Sequence, residues 1–484
     1  MRCMCSVDRA RQGLDEVPGC CDDDQEHELT MARGFMRTLL ELPPLPDSTR
    51  RSFRREQLTQ LALPPAFALM EGGIVGVIAD KMFHVSPWLL AVITAAPMFG
   101  NLMSFVWSRV ALARPKVPVI VALQCGVLAC IAAVALLPVD ALGASLLALT
   151  MVTARLLMSG VTTVRSVVWS LNYGRELRAR TTARLQILSS LFTAISSFLV
   201  GTALDANPDN FRWVYLTGVC VGACGVFAFS RVRVQREHRH LVVERTNQRG
   251  GRQAQPIGFF EILRGDALYR RYQLYQFTSG AAAMMTIPAL ILYVSREMQA
   301  SFLVSFLLIN IVPLSLSVLS MPLWAQFLDR VHVTRFRARQ SILWVLEPCV
   351  IFLGASLGSL WIIAVGRMIN GVSNGGGSLA WELGHNDFAP KQQVGAYMSV
   401  HVTLTGVRGA TAPFIGAALY HGWPAGGLAG AEWPAFDGIG RWLFLVSAVL
   451  MATSWRGFNR LAQDMGHMRL RPPSSVADDA SVQR

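Results

Sequence analysis

The chain has 484 residues, of which 52% are hydrophobic and only 15% charged, and its 44 Lys and Arg against 31 Asp and Glu leave a net charge of +13. So few charges exclude an ordinary soluble domain of this size and make lipid the natural solvent for most side chains. The positive excess does not point to nucleic acid, because it is confined to alternate connections between apolar runs.

Residues 1–57 read as a polar, disordered tail in which Cys3, Cys5, Cys20 and Cys21 lie near Asp22, Asp23 and Asp24. Their spacing fits no zinc pattern, no metal is expected there, and Met31 and Met36 offer alternative starts. No apolar run precedes residue 58, so no cleavable signal peptide is expected. Apolar runs able to span a hydrocarbon core of roughly 30 Å then begin. They lie at about 58 to 79, 88 to 108, 117 to 137, 141 to 163, 185 to 204, 213 to 230, 272 to 294, 302 to 326, 340 to 357, 360 to 381, 397 to 420 and 438 to 455. Helices are expected throughout, since lipid offers no partner for an unpaired backbone group. Cys125, Cys130, Cys220, Cys224 and Cys349 fall inside these runs as small packing residues.

The connections alternate in charge. One set holds the tail arginines, Arg109, Arg114 and Lys116, the arginines from Arg175 to Arg184 and those from Arg231 to Arg271, then Arg330, Arg335, Arg337, Arg339, Lys391 and the C-terminal group from Arg456. The other holds little beyond Lys81, Arg212, Arg296 and Arg441. By the positive-inside rule both termini and the long middle connection are cytoplasmic, in the inner (plasma) membrane, and an even number of crossings, twelve, is required.

The chain also repeats itself. Arg155, Ser166, Trp169 and Leu171 recur at an offset of 212 residues as Arg367, Ser378, Trp381 and Leu383, and Ser108-Arg109-Val110 echoes Asp329-Arg330-Val331. A polar, arginine-rich stretch with a Gly250-Gly251 pair separates the copies. The expected plan is therefore all-α: a six-helix bundle over 58–230, a basic linker over 231–268, a second six-helix bundle over 269–460 and a tail from 461, related by a parallel repeat with a site between them.

Twelve runs, a mid-chain linker and these loops together resemble the major facilitator superfamily over residues 58 to 460. Its first cytoplasmic signature survives as Ser108-Arg109 with Arg114 and Lys116, lacking the acid. The second copy keeps Asp329-Arg330 with Arg335, although Ala325 and His332 replace the usual glycines, and Arg155 with Gly160 matches the fourth-span pattern. The resemblance implies alternating access, with spans one, four, seven and ten around a central cavity and Arg109, Asp329, Arg330 and Arg335 as a cytoplasmic gate.

A charge at mid-bilayer costs several kcal/mol, so Glu71, Arg155, Arg367 and Arg408 need partners or water. Glu71 and Arg155 are the expected proton-coupling pair, the rival reading being a fixed clamp between spans one and four. Arg367, Asn370, Asn374, Ser378 and Glu382 share one face of span ten at steps of three and four residues. With Arg408 the first four make the expected substrate cavity, and the nearby glycines allow either ligand contact or close packing. His401, Thr405 and Arg408 share a face of span eleven, and Glu347 in span nine is expected to pair with an arginine of a neighbouring span. Glu382 and His385 form a lone Glu-x-x-His, too little for a di-metal site, and no phosphate-cradling loop appears.

The functional expectation is a secondary active transporter rather than an enzyme. It needs no cofactor and takes protons, the bilayer and a small anionic or amphiphilic solute as partners, but not nucleic acid. A non-transporting assembly factor or receptor on the same fold is the alternative, motivated by Ser108 in place of the acid.

Overall fold

The computed structural model describes residues 47–173, 175–249, 258–390, 393–428 and 431–470. The tail cysteines, Gly250-Gly251, Lys391 and residues 471–484 lie outside the described residues.

The first bundle comprises α1 (Asp47–Ala68) and α2 (Gly72–Lys81), which together form span one, then α3 (Pro87–Ala111), α4 (Lys116–Val134), α5 (Ala141–Asn172), α6 (Arg175–Ala206) and α7 (Phe211–Ser230). Two short helices, α8 (Glu237–Arg249) and α9 (Phe259–Gly265), precede the second bundle. That bundle comprises α10 (Ala267–Leu292), which ends in a π turn at Tyr293–Glu297, and α11 (Phe302–Phe306), which continues through a π turn at Leu307–Ile311 into α12 (Val312–Arg330). It closes with α13 (Val333–Leu357), α14 (Leu360–Leu383), α15 (Val394–His421) and α16 (Trp442–Leu470).

Local chemistry sets the helix starts. Ser86, with Pro87 next to it, accepts from the Leu89 amide at 3.2 Å, and Asp140 accepts from Gly143 at 2.7 Å, each satisfying an otherwise orphaned donor. Basic ends run past the apolar cores: helix begins at Asp47, inside the segment expected to be tail, at Arg175 rather than 185, and at Val333 rather than 340. Long arginines can leave the hydrocarbon by their own stems, so charge does not stop these helices. Between α15 and α16 the chain forms a small hairpin, β1 (Gly426–Leu428) with β2 (Ala431–Trp433), and span twelve starts at Trp442.

Nine described segments are long and apolar enough to cross a bilayer. α14, α15 and α16, of 24, 28 and 29 residues, are long enough to cross as well, but carry glycines, polar stripes or a polar end.

The parallel repeat is visible in the packing. Spans two and four, three and four, three and six, one and six, and one and five pack on each other in the first bundle; the same pairings, each shifted by six, build the second. The bundles meet through α3 against α15 and α6 against α11. Gly406 and Gly409 let α15 approach α3 closely, because a Cβ at Gly409 would sit 2.1 Å from Met98 Cγ. The glycines of span ten serve packing too: a Cβ at Gly371 would lie 2.7 Å from the Pro313 carbonyl, and one at Gly375 2.2 Å from Ser320 Oγ.

Helix α8 lies on the loop that carries the incomplete first signature. Lys116, 2% exposed, gives its ammonium to Glu244 at 2.8 Å and its amide to Glu237 at 2.8 Å. Glu244 also accepts from the amide of Ala113, which sits in the left-handed region at φ 57. Glu244 is thus held below the usual carboxylate value: burial raises it, but hydrogen bonds from Lys116 and Ala113 and the charges of Lys116 and His240 outweigh burial.

Candidate functional site

Span one is not continuous. Pro64 and Pro65 remove two helical donors, Gly72 and Gly73 weaken the turn beyond them, and the helix breaks at Leu69-Met70-Glu71. Glu71 becomes the N-cap of α2 in extended conformation. The break leaves two carbonyls outside the helical ladder, and both are taken: Tyr215 donates its hydroxyl to Leu69 O at 3.0 Å and Arg155 donates to Met70 O. Arg155 Nη2 also meets Glu71 Oε2 at 2.5 Å. The two side chains differ in access, Glu71 being 43% exposed and Arg155 15%. Glu71 is thus reachable from outside the bundle while its arginine stays anchored on the broken backbone.

The repeat-related arginine uses a different acid. Arg367 Nη1 pairs with Glu347 Oε1 at 2.6 Å, its Nε donates to Leu308 O at 2.9 Å and its Nη2 to Ile309 O at 3.3 Å. Those carbonyls belong to the π turn, whose wider winding frees acceptors just as the span-one break does. Asn370 donates to the other Glu347 oxygen at 2.7 Å, and Asn374 donates to Asn370 at 3.0 Å. Glu347 and Arg367 are 8% and 12% exposed, so this pair is sealed where Glu71 is open. Trp361, Val365 and Met368 are exposed on one face of α14; Asn374 and Ser378 are exposed on the face away from them, which turns the polar stripe from lipid.

The other expected site residues lie elsewhere. Arg408 is 5% exposed, donates to Gln276 O and lies against Gly280, where a Cβ would stand 2.2 Å from its guanidinium carbon. His401 bonds Gln273 at 3.1 Å and Thr405 accepts from Trp381 at 3.2 Å. Arg109, Asp329, Arg330 and Arg335 are exposed at the basic end. Glu382 is exposed and His385 buried, and no metal-binding cluster occurs among the described residues.

Three ionic features could not be read from the sequence. At the end away from the basic loops Asp80, with a side chain 1% exposed, pairs with Arg296 at 2.6 Å and accepts from Ser295; Lys81 donates to Ala300 O, and Arg296 to Val85 O at 2.8 Å. Asp205 caps α11, accepting from the Phe302 and Leu303 amides at 2.6 and 3.2 Å. Each of these contacts crosses between bundles. Their only sequence signal was charge at span ends, which is indistinguishable from ordinary snorkelling. Glu56 is the second feature, 1% exposed and held by Trp169 at 2.5 Å and Tyr173 at 2.9 Å. Glu244 against Lys116 is the third.

Two halves with repeated helix pairings and a broken first span define the architecture. The chain has the major facilitator fold. A nucleoside transporter, NupG, matches at TM-score 0.63 and 10% identity over 85% of this chain and 99% of its own. The xylose transporter XylE from E. coli matches at TM-score 0.58 and 8% identity over 84% and 95%, and a bacterial metal transporter at 0.52 and 13% over 87% and 99%. No family model matches the sequence, and no curated protein does. On the major facilitator fold the chain is a multi-pass membrane protein, and the solved structures it resembles include a nucleoside transporter and a D-xylose–proton symporter.

Proposed function

We propose that the chain is a proton-coupled transporter of a small, neutral, hydroxyl-bearing solute, with twelve spans and both termini on the cytoplasmic side of the plasma membrane. The observation that carries it is Glu71, half open at the break in span one and paired at 2.5 Å with Arg155. Among the described residues the Glu347–Arg367 pair is sealed whereas Glu71 is half open, which supports Glu71 as the acid that loads and releases a proton. With the proton on Glu71, Arg155 loses its counter-charge and keeps the Met70 carbonyl, which biases the span-one hinge.

The substrate class rests on exposed side chains that carry no charge. Of the three arginines behind the expectation of an anionic solute, Arg155 and Arg367 already hold carboxylates and Arg408 is buried against the Gln276 carbonyl. The exposed polar groups on the cavity faces are Asn374, Ser378, Thr162 and Ser166, amides and hydroxyls suited to a neutral polyol. The nucleoside and D-xylose–proton transporters of the same fold carry solutes of that kind. The bundle contacts at Asp80, Arg296 and Asp205 close the end opposite the basic loops, as in a state facing the cytoplasm.

The test is uptake into vesicles with an imposed pH gradient, with nucleosides and pentoses as first solutes. Wild type should concentrate one of them, whereas Glu71→Gln should equilibrate it without accumulation. Accumulation by Glu71→Gln equal to wild type would make Glu71 a structural clamp.

A further inference from the structure

Several cations among the described residues are enclosed by the helices, and Arg165, stacked on Trp169, is one of them. Lys116, Arg155 and Arg367 each meet a carboxylate within 2.8 Å. Arg337 and Arg408, 0% and 5% exposed, meet none among the described residues. Arg337 reaches Gln340 at 3.2 Å, the Gly377 carbonyl at 3.3 Å and the face of Trp344; Arg408 reaches a backbone carbonyl. Arg408 reaches the Gln276 carbonyl one turn from Gln273, which meets His401 at 3.1 Å, and the His401 ring lies 5.3 Å from that of Trp381, one turn beyond the Gly377 carbonyl that Arg337 reaches.

The surrounding helices supply donors rather than counter-charge. Tyr272, Gln273, Gln276, Ser341, His385 and His401 are all at most 7% exposed. Each has a side-chain polar atom that makes no hydrogen bond among the described residues, as do Arg337 Nε and Arg408 Nε. Most of these idle groups are N–H or O–H donors. The acids that could neutralise them are committed or turned away: Glu347 to Arg367 and Asn370, Asp266 to Tyr269 and Tyr397, Asp387 to the Val333 amide, Asp464 to Arg271, while Glu382 is exposed. Two uncompensated cations in the interior of a membrane bundle are costly, and idle donors beside them add to that cost.

We infer that the second bundle holds a small inorganic anion, of the size of chloride or phosphate, between spans seven, nine, ten and eleven, neutralising Arg337 and Arg408. The site is distinct from the transport pair at Glu71 and stands whether or not that assignment does. An inorganic ion fits better than a lipid headgroup, because residues this deeply buried leave no slot for a tethered phosphate.

The experiment is thermal unfolding of the purified full-length protein in sodium chloride, sodium phosphate and sodium gluconate at equal ionic strength. The midpoint should rise saturably with chloride or phosphate, by about 2 °C or more, and not with gluconate. Arg408→Gln should abolish that response. Should Arg408→Gln fail to fold, Arg337→Gln, which removes the other cation, should abolish the response in its place. Bromide soaked into crystals should give anomalous density beside Arg408. Equal midpoints in all three salts, an undiminished response in Arg408→Gln, or stabilisation by phosphatidylglycerol nanodiscs without any halide or phosphate effect would each overturn the inference.

Discussion

At the scale of single residues, the two repeat-related arginines show how one sequence position acquires two roles. Arg155 and Arg367 both anchor on carbonyls released by irregular backbone, but Arg155 faces an open acid and Arg367 a sealed one. The sealed pair should therefore be structural. Glu347→Gln leaves Arg367 uncompensated in the interior, and the expected loss is on the order of 3 kcal/mol, read as a lowered unfolding midpoint. Replacing both members, Glu347→Gln with Arg367→Gln, should recover part of it, since the lone charge goes. A single variant as stable as wild type would contradict the structural role. The repeated arginine and the polar face of span ten were legible from the sequence; the identity of the acid beside Arg367 was not, because Glu347 lies on a different helix and only packing brings it within 2.6 Å.

At the scale of elements, α8 docks on the loop between spans two and three. Glu244 and Glu237 of the linker, more than a hundred residues downstream, hold the far end of that loop through Lys116 and the amides of Ala113 and Lys116. Because docking holds the Glu244 carboxyl below its ordinary value of 4.5, the docked state gains stability above that pH and loses it as pH falls through the lowered value. Hydrogen exchange across residues 237 to 249 should thus stay slow at neutral pH and accelerate only below about pH 4.5. Glu244→Gln should show fast exchange already at neutral pH, the loss being about 1–3 kcal/mol for a buried ammonium left short of a partner. Exchange in that variant as slow as in wild type would mean that Glu244 does not hold the helix down.

At the scale of the whole molecule, polar contacts between the bundles gather at the end away from the basic loops, where Asp80, Lys81 and Asp205 meet span seven and the start of α11. Asp80 is the hub, with Arg296 and Ser295 both on it. Asp80→Asn keeps shape and removes charge, so it should favour opening at that end. In a cysteine-free background, a cysteine at Asn374 should then react faster with an impermeant thiol reagent added from outside. An unchanged rate would show that the seam is held by apolar packing, such as Leu303 against Gly201, instead.

Composition, loop charge and the repeat determined on their own that this is a helical membrane protein in two related halves. Those properties are written in local hydrophobicity and in one-dimensional spacing, which survive whatever the tertiary packing does. They also flagged Glu71, Arg155 and the span-ten stripe, because a charge in an apolar run is conspicuous without any structure. Which charges pair, where span one breaks, that α8 docks on Lys116 and that Arg337 and Arg408 meet no acid among the described residues were decided only by tertiary structure. Each depends on which side chains from distant helices come within a few ångströms of one another, and no spacing along the chain encodes that distance.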